Sequence, residues 1–200
     1  YRDAQKVIPN LSKIYSEPFA DSSQVPTFLV CSEAKRAGLS VMLSGDGGDE
    51  LFGGYNRHKY APFINKRFSN FNPYLKNIIS QAIKHLPIKQ RGLILEKKQK
   101  LYRSIKNSSS ISSIYETLIS VYSEADIPLN NDWLQDNFIT LNSSPESLTP
   151  SEQIMFKDII HYLPADLLVK VDRASMNVSL ETRTPFLDYR VAEMAWSSPL

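Results

Sequence analysis

Carboxylates and glycines alternate in one short segment of this chain, Ser44–Glu50, whose sequence is SGDGGDE. Like charges a few ångströms apart repel one another, so stability does not explain why Asp46 and Asp49 lie so close together. Glycine lets backbone N–H groups approach phosphate oxygens, the start of a following helix adds partial positive charge, and carboxylates are hard oxygen ligands for Mg²⁺. The segment therefore predicts one wall of a magnesium-nucleotide site.

Other glycine-rich loops fit this segment poorly. A helix–loop–helix calcium site beginning at Asp46 would need a carboxylate at its third position and a glutamate at its twelfth, where the chain has Gly48 and Arg57. No Gly-Lys-Ser/Thr follows, as a Walker A loop requires, and the GxGxxG spacing of a dinucleotide fold is absent. A glycine-rich hairpin remains the structural alternative.

A second candidate cluster consists of the cations Lys170 and Arg173. Three residues apart, they share one face if the segment is helical. A lysine and an arginine directed at one place suit the charge that develops on a phosphate during its transfer. The alternative is a surface cluster in which Lys170, Asp172 and Arg173 form ion pairs. The nucleotide-site hypothesis requires these cations and the acids of Ser44–Glu50 to converge.

The pattern upstream of the acidic turn is typical of an α/β unit. Three N-cap candidates in Asp21–Ser23 precede Pro26, and Gly38 suits the position just past a helix end. The apolar run Leu39–Leu43 then predicts a buried parallel strand, which would place the turn at the carboxyl edge of the sheet, where ligands bind. Within the predicted helix, Cys31 falls on the apolar stripe and is interpreted as a buried structural thiol.

The rest of the chain shows apolar residues at helical spacing, with one such pattern at Asn130–Thr140. We therefore predict an α/β fold in which helices flank a parallel sheet, with a mainly helical C-terminal part. Residues 1–60 would form the nucleotide-binding part of the domain. Residues 61–200 would form a helical part of the same domain that covers the active site.

The amino-acid composition limits the classes of partner expected for this chain. The 200 residues are 42% hydrophobic and 22% charged, contain one cysteine and lack an apolar run of the ~20 residues that a membrane span needs. We expect a chain with no membrane partner, no internal disulfide and a cytoplasmic setting. Residues 51–113 are basic, but solvated helix faces explain this better than a nucleic-acid partner. The isolated histidines lack metal-ligand spacing: His58, His85 and His161.

Three segments together resemble the glutamine-hydrolysing asparagine synthetases. They are Ile14–Leu29 (IYSEPFADSSQVPTFL), Val41–His58 (VMLSGDGGDELFGGYNRH) and Tyr162–Asp188 (YLPADLLVKVDRASMNVSLETRTPFLD). The resemblance implies a PP-loop ATP pyrophosphatase fold. It also implies that ATP and Mg²⁺ activate aspartate as an aspartyl-adenylate, which ammonia derived from glutamine converts to asparagine. A homodimer is one assembly that the resemblance leaves open.

The same resemblance implies that part of the enzyme lies outside this chain. Its SGGxDS pyrophosphate loop and N-terminal glutaminase domain would both precede Tyr1, so we expect a fragment that is inactive alone. The alternatives are a related amidotransferase, a β-lactam-forming synthetase acting on another carboxylate, and an RNA-binding PP-loop protein that uses the basic segment.

The resemblance also implies roles for individual residues. The implied nucleotide contacts lie in the acidic turn: Ser44, Gly45, Gly47, Asp49 and Glu50. Asp49 would bind Mg²⁺, and Asp46 would handle the amine, although many members carry a longer glutamate there. Lys170 or Arg173 would supply the cation near the phosphates. The residues implied to lie near the aspartyl-adenylate precede the first long helix: Ala20, Asp21, Ser22 and Ser23.

Overall fold

The computed structural model describes residues 2–87, 92–120, 145 and 147–198. Its contacts divide the chain into two compact units. Unit 1 consists of Tyr1–Gly54 and Lys157–Leu200, and unit 2 is Tyr55–Phe156. Unit 1 is therefore discontinuous in sequence, and it contains all three segments of the resemblance except the last few residues of the second.

The elements follow one another in a mostly helical order. The helices are α1 (Arg2–Val7), α2 (Leu11–Tyr15), α3 (Gln24–Arg36), α4 (Gly48–Phe52), α5 (Asn56–Phe68), α6 (Pro73–His85), α7 (Leu93–Lys106), α8 (Ile111–Ile119), α9 (Pro150–Lys157), α10 (Leu168–Met176) and α11 (Tyr189–Ser197). A π-helix spans Asp158–Leu167, and short 3₁₀ turns span Ile8–Asn10 and Pro185–Leu187. The strands are β1 (Val41–Leu43) and β2 (Glu181–Arg183).

Unit 1 is organised around these two strands. β1 pairs with β2 in parallel, with Val41 opposite Glu181 and Leu43 opposite Arg183. Helix α3 precedes β1, α10 precedes β2, and the two helices pack against each other. In parallel α/β structure such helices begin at the edge where the strands end. The starts of α3 and α10 and the turn after β1 are therefore brought to one edge of the sheet.

Helix α3 forms where the sequence predicts it. It begins at Gln24, directly after Asp21–Ser23, and Pro26 lies in its first turn. Gly38 follows its end with a φ of 88°, a conformation that glycine adopts without strain. Cys31 is fully buried in the core of unit 1, which confirms that it is a buried thiol in the apolar stripe of this helix.

The prediction that the strand before the acidic turn is buried is wrong for the part of the chain that is described. Met42 packs against the core, but Val41 and Leu43 are 40% and 69% exposed. Side chains alternate between the two faces of a strand, and the core of unit 1 covers one face only. Among the described residues, β2 is the one strand paired with β1, so an apolar run typical of a central strand lies here in a two-stranded sheet.

Unit 2 is helical. Its core consists of apolar residues from α5, α7, α8 and α9: Ala61, Ile64, Ile105, Ile114, Tyr115 and Ile154. Helix α6 packs against α7, and α8 packs against both α5 and α7. Three buried polar side chains of this unit, Lys76, Ser80 and Ser108, donate to backbone carbonyls, and Lys76 Nζ lies 3.0 Å from the Ser69 oxygen. The apolar spacing of the sequence therefore predicts this unit well.

The predicted fold class is confirmed, since the structure combines a small parallel sheet with a mainly helical remainder. The predicted division into residues 1–60 and 61–200 includes a functional assignment and stays a prediction. The helical pattern at Asn130–Thr140 lies outside the described residues. No helix that the structure describes has the length and apolar content to cross a membrane.

Candidate nucleotide site

A pocket of about 470 Å³ lies within unit 1 at the edge where β1 ends. Its polar wall is formed by Ser23 from the residues before α3, by Ser44–Asp46 after β1 and by Lys170 in the first turn of α10. Apolar side chains, among them Met42 and Val171, complete the lining. The structure thus brings Asp46 and Lys170, which are far apart in sequence, to one pocket.

Local hydrogen bonds shape the turn that follows β1. The Ser44 N–H donates to the Arg183 carbonyl at 2.8 Å, which continues the parallel pairing by one residue. The Ser44 hydroxyl donates to Asp46 Oδ2, and the Gly48 N–H donates to the Gly45 carbonyl at 3.2 Å. These bonds fold Ser44–Asp46 back toward the pocket. Helix α4, which follows, has only five residues, so its dipole adds little positive charge.

Two glycines of the turn lie in close contact with the 3₁₀ turn Pro185–Leu187. Gly47 has a φ of 92°, and a β-carbon there would lie 2.6 Å from Leu187 Cδ2. A β-carbon on Gly48 would meet the Phe186 ring at 3.3 Å. By contrast, a β-carbon on Gly45 would meet nothing within 4 Å. The acidic turn therefore packs against the 3₁₀ turn Pro185–Leu187.

Lys170 is buried and forms an ion pair with an acid from the loop before α3. Its Nζ lies 3.0 Å from Asp21 Oδ2 and donates to the Ser23 hydroxyl at 2.7 Å. The side chains of Lys170 and Asp21 are only 7% and 10% exposed. A buried charge needs such a partner, because removal from water is unfavourable for an unpaired ion. This ion pair joins the start of α10 to the loop before α3.

Asp21 and Asp166 form a pair of neighbouring carboxyl groups behind Lys170. Burial raises the pKa of Asp21, but hydrogen bonds from Ser23 and then Lys170 outweigh burial and lower the pKa below its ordinary value. Burial and then the negative charge of nearby Asp21 raise the pKa of Asp166. The environment thus shifts the pKa values of the two carboxyl groups in opposite directions.

Asp166 is a residue that the sequence analysis missed. An acid four residues before a lysine lies on the same helical face, so the Asp166–Lys170 spacing was a usable signal. The π-helix Asp158–Leu167, which contains Pro164, ends directly beside this pair.

Arg173 is not brought to the pocket. Its guanidinium donates to the Tyr15 carbonyl, and its Nη1 lies 2.6 Å from Glu17 Oε1. Burial raises the pKa of Tyr15 to about 12, so its hydroxyl stays a donor, and it bonds the Gln24 carbonyl at 3.0 Å. Arg173 therefore joins α10 to the end of α2, while Lys170 faces the pocket.

Four other predicted site residues, Asp49, Glu50, Ala20 and Ser22, differ in their exposure. Asp49 is exposed in the first turn of α4, and Glu50 is 1% exposed, so its carboxylate is buried. Ala20 and Ser22 are exposed in the loop before α3. None of these four is among the described residues that line the pocket.

Asp49 places one hard oxygen ligand, of the kind that Mg²⁺ prefers, beside the turn. A β-carbon on Gly54 would lie 1.9 Å from Asp49 Oδ1, so this glycine makes room for the Asp49 carboxylate beside the turn. Within the described parts of the chain, no three acids, histidines or cysteines converge as a complete metal site. Mg²⁺ commonly uses one or two carboxylates and takes its other ligands from water and substrate phosphates.

Comparison with known proteins identifies the family of this chain. The family model described as asparagine synthase matches residues 1–200, and the chain therefore belongs to the asparagine synthase family. This match includes both the acidic turn and the Lys170 segment. No solved structure matches the chain.

Curated relatives carry the same family name in their descriptions. Asparagine synthetase [glutamine-hydrolyzing] 1 of Bacillus subtilis is 30% identical over 96% of this chain and 30% of its own length. Putative asparagine synthetases [glutamine-hydrolyzing] of Mycobacterium tuberculosis and Methanocaldococcus jannaschii are 32% and 34% identical over 96% and 88% of this chain, and over 29% and 33% of their own lengths. The chain thus spans about a third or less of the length of these relatives.

Proposed function

We propose that this chain forms part of the synthetase site of an ATP-dependent ligase that converts aspartate to asparagine. The observation that carries the proposal is the pocket in which Ser44–Asp46 and Lys170 meet. Family membership supports the choice of aspartate as substrate, since the relatives are named asparagine synthetases. The whole protein would take its ammonia from glutamine.

The proposed reaction has two steps. A side-chain carboxylate oxygen of aspartate attacks the α-phosphorus of ATP, and pyrophosphate leaves. Ammonia then attacks the acyl carbon of the aspartyl-adenylate, AMP leaves with the original carboxylate oxygen, and one proton is released. In the first step Lys170 would stabilise the negative charge that develops on the phosphates. In the second step Asp46 would orient the amine.

The charges in the pocket support a requirement for a metal ion. Lys170 is already paired with Asp21, and Asp46 adds another negative charge to the lining. One paired lysine does not neutralise a triphosphate. When bound, Mg²⁺ would supply the missing positive charge on the departing pyrophosphate. Asp49 is the residue proposed to hold it, from the exposed start of α4.

Isotope transfer in the full-length protein tests the reaction. The protein is incubated with Mg-ATP, glutamine and aspartate whose side-chain carboxylate carries heavy oxygen. We expect pyrophosphate release that depends on aspartate, with one heavy oxygen in AMP. Heavy oxygen in inorganic phosphate together with ADP would instead show activation by the γ-phosphoryl group and would refute the adenylate.

A panel of other carboxylates tests the substrate. Glutamate, β-alanine and N-carboxymethyl amino acids are supplied in place of aspartate under the same conditions. We expect aspartate to support the fastest pyrophosphate release. A faster rate with another carboxylate would assign the chain to a related amide- or lactam-forming enzyme of the same chemistry.

A further inference from the structure

The side chain of Asp21 is only 10% exposed, yet Asp21 is not among the described residues that line the pocket. We infer that Asp21 is a positioning residue, which acts through Lys170 by holding the ammonium group at the pocket wall. The alternative is direct contact with the substrate, since the family resemblance implies a place for Asp21 near the aspartyl-adenylate. The inference rests on the proposed function, because it assigns Asp21 a role through the proposed cation.

The hydrogen bonds of Lys170 leave one ammonium proton for a ligand. An ammonium group has three N–H donors. Lys170 Nζ donates to Asp21 Oδ2 at 3.0 Å and to the Ser23 hydroxyl at 2.7 Å, and these are its two side-chain partners in the described part of the chain. Because Lys170 lines the pocket, its third N–H is available to an oxygen of a bound ligand.

Ser23 holds the Asp21 carboxylate in turn. The Ser23 N–H and hydroxyl both donate to Asp21 Oδ1, which leaves Oδ2 for Lys170. The single proton of the Ser23 hydroxyl is used on Asp21, so its oxygen is the acceptor for Lys170. The ammonium of a lysine lies on a flexible four-carbon stem. Without the Asp21 carboxylate, the ammonium would lose one of the two acceptors that orient it.

The loop that carries Asp21 is itself fixed by hydrogen bonds to the start of α3. The Tyr15 hydroxyl donates to the Gln24 carbonyl at 3.0 Å, and Gln24 Nε2 donates to the Phe19 carbonyl at 3.0 Å. The rings of Tyr15 and Phe19 stack with their centroids 4.9 Å apart. Asp21 is therefore a fixed partner for Lys170, as a positioning role requires.

A double-mutant cycle between Asp21→Asn and Lys170→Met separates the positioning role from direct contact with the substrate. Asp21→Asn keeps the volume but removes the charge that holds the ammonium. In the full-length protein it should lower kcat for aspartate-dependent pyrophosphate release by about tenfold or more, because a displaced cation stabilises the transition state poorly. KM for aspartate should stay within about threefold of wild type, since Asp21 makes no substrate contact. In the Lys170→Met background, Asp21→Asn should change the rate by less than about twofold.

Three results would overturn the inference. They are a wild-type kcat in Asp21→Asn, a tenfold rise in its KM for aspartate, and an equal loss of rate with and without Lys170. Asp3→Asn, which removes an exposed aspartate paired with Lys6, is the matched control and should keep the wild-type rate.

Thermal unfolding and glutamine hydrolysis check that each variant is folded, because Asp21→Asn leaves Lys170 as a buried charge without its carboxylate. The double variant carries neither charge, so it decides the question if Asp21→Asn does not fold. A rate equal to that of Lys170→Met then supports the inference, and a rate tenfold lower overturns it.

Lys170→Met alone distinguishes failure of this inference from failure of the proposed function. If Lys170→Met keeps the wild-type rate, the proposed role of the pocket is wrong, and the role of Asp21 is wrong with it. If Lys170→Met loses activity while Asp21→Asn keeps the wild-type kcat, the role of Asp21 alone is wrong.

Discussion

Lys76 in unit 2 and Lys170 in unit 1 are both buried, and they have different kinds of partner. In unit 2, Lys76 is 5% exposed and donates to the backbone carbonyl of Ser69, seven residues away. In unit 1, Lys170 is equally buried but pairs with the carboxylate of Asp21, which is 149 residues away. The bond of Lys76 joins residues close in sequence, whereas the ion pair of Lys170 joins two distant segments and holds the ammonium beside a pocket. Burial alone therefore does not identify a functional lysine.

The largest predicted effect is the difference in pyrophosphate release between substitution of Lys170 and substitution of Lys76. Lys170→Met should lower aspartate-dependent pyrophosphate release by about 10²–10³-fold, because the charge that develops on the phosphates loses its cation. Lys76→Met, the matched control, should keep the rate per folded molecule. Both rates are measured in the full-length protein after normalisation to folded protein. Equal losses in the two variants would remove the distinction between the units.

The metal role of Asp49 should produce a comparable loss. Asp49→Asn keeps the volume but removes the charge, so the release of pyrophosphate should fall by about 10²-fold or more while glutamine hydrolysis continues. Extra Mg²⁺ should restore part of the rate. Asp3→Asn, an exposed aspartate paired with Lys6, is the matched control. Unchanged synthesis in Asp49→Asn would refute the metal assignment.

Within unit 1, the two glycines of the turn should differ in their effect on stability. Gly47→Ala introduces a β-carbon at a φ of 92° and 2.6 Å from Leu187 Cδ2, and should lower the free energy of unfolding by about 1–3 kcal/mol. Gly45→Ala has open space and should change it by less than about 1 kcal/mol. Urea unfolding of the full-length variants measures both. Similar values would show that the turn is not seated on Pro185–Leu187.

The smallest predicted effect is a pH dependence at the start of α11. Hydrogen bonds from the Arg190 side chain and then its N–H lower the pKa of Asp188 from 3.8 to about 2. A lowered folded pKa contributes stability above pH 3.8, and this contribution is lost as pH falls toward 2. The difference in unfolding midpoint between wild type and Asp188→Asn should therefore shrink between pH 6 and pH 2. Glu193→Gln on the same helix is the matched control, and a constant Asp188→Asn difference would contradict the account.

Sequence patterns predicted the elements of this molecule better than the contacts between them. The N-cap candidates and Pro26 predicted the start of α3. Apolar spacing predicted the helices of unit 2 and the burial of Cys31. These features depend on nearby residues. The exposure of Val41 and Leu43 was not predictable, because the apolar composition of a strand does not determine how many other elements pack against it. Lys170 and Arg173 differ in position because Lys170 pairs with Asp21 and Arg173 pairs with Glu17. Only folding brings these acids near the two cations.

The candidate site was predicted in outline for a chemical reason. The acids of the turn and the cation Lys170 lie in distant segments of the sequence. Both suit a bound triphosphate, so their convergence could be expected. The structure brings Asp46 and Lys170 to one pocket, while Asp49 lies outside its lining. Asp166 was missed, although its spacing of four residues from Lys170 was a usable signal.

A double-mutant cycle between Asp46→Asn and Lys170→Met tests most directly whether these two residues act on one bound nucleotide. Aspartate-dependent pyrophosphate release is measured for wild type, both single variants and the double variant of the full-length protein. We predict a coupling free energy above about 1 kcal/mol, because residues that share one bound substrate are not independent. Losses that add within about 0.5 kcal/mol would mean that the two residues act at separate places, and would contradict the shared site.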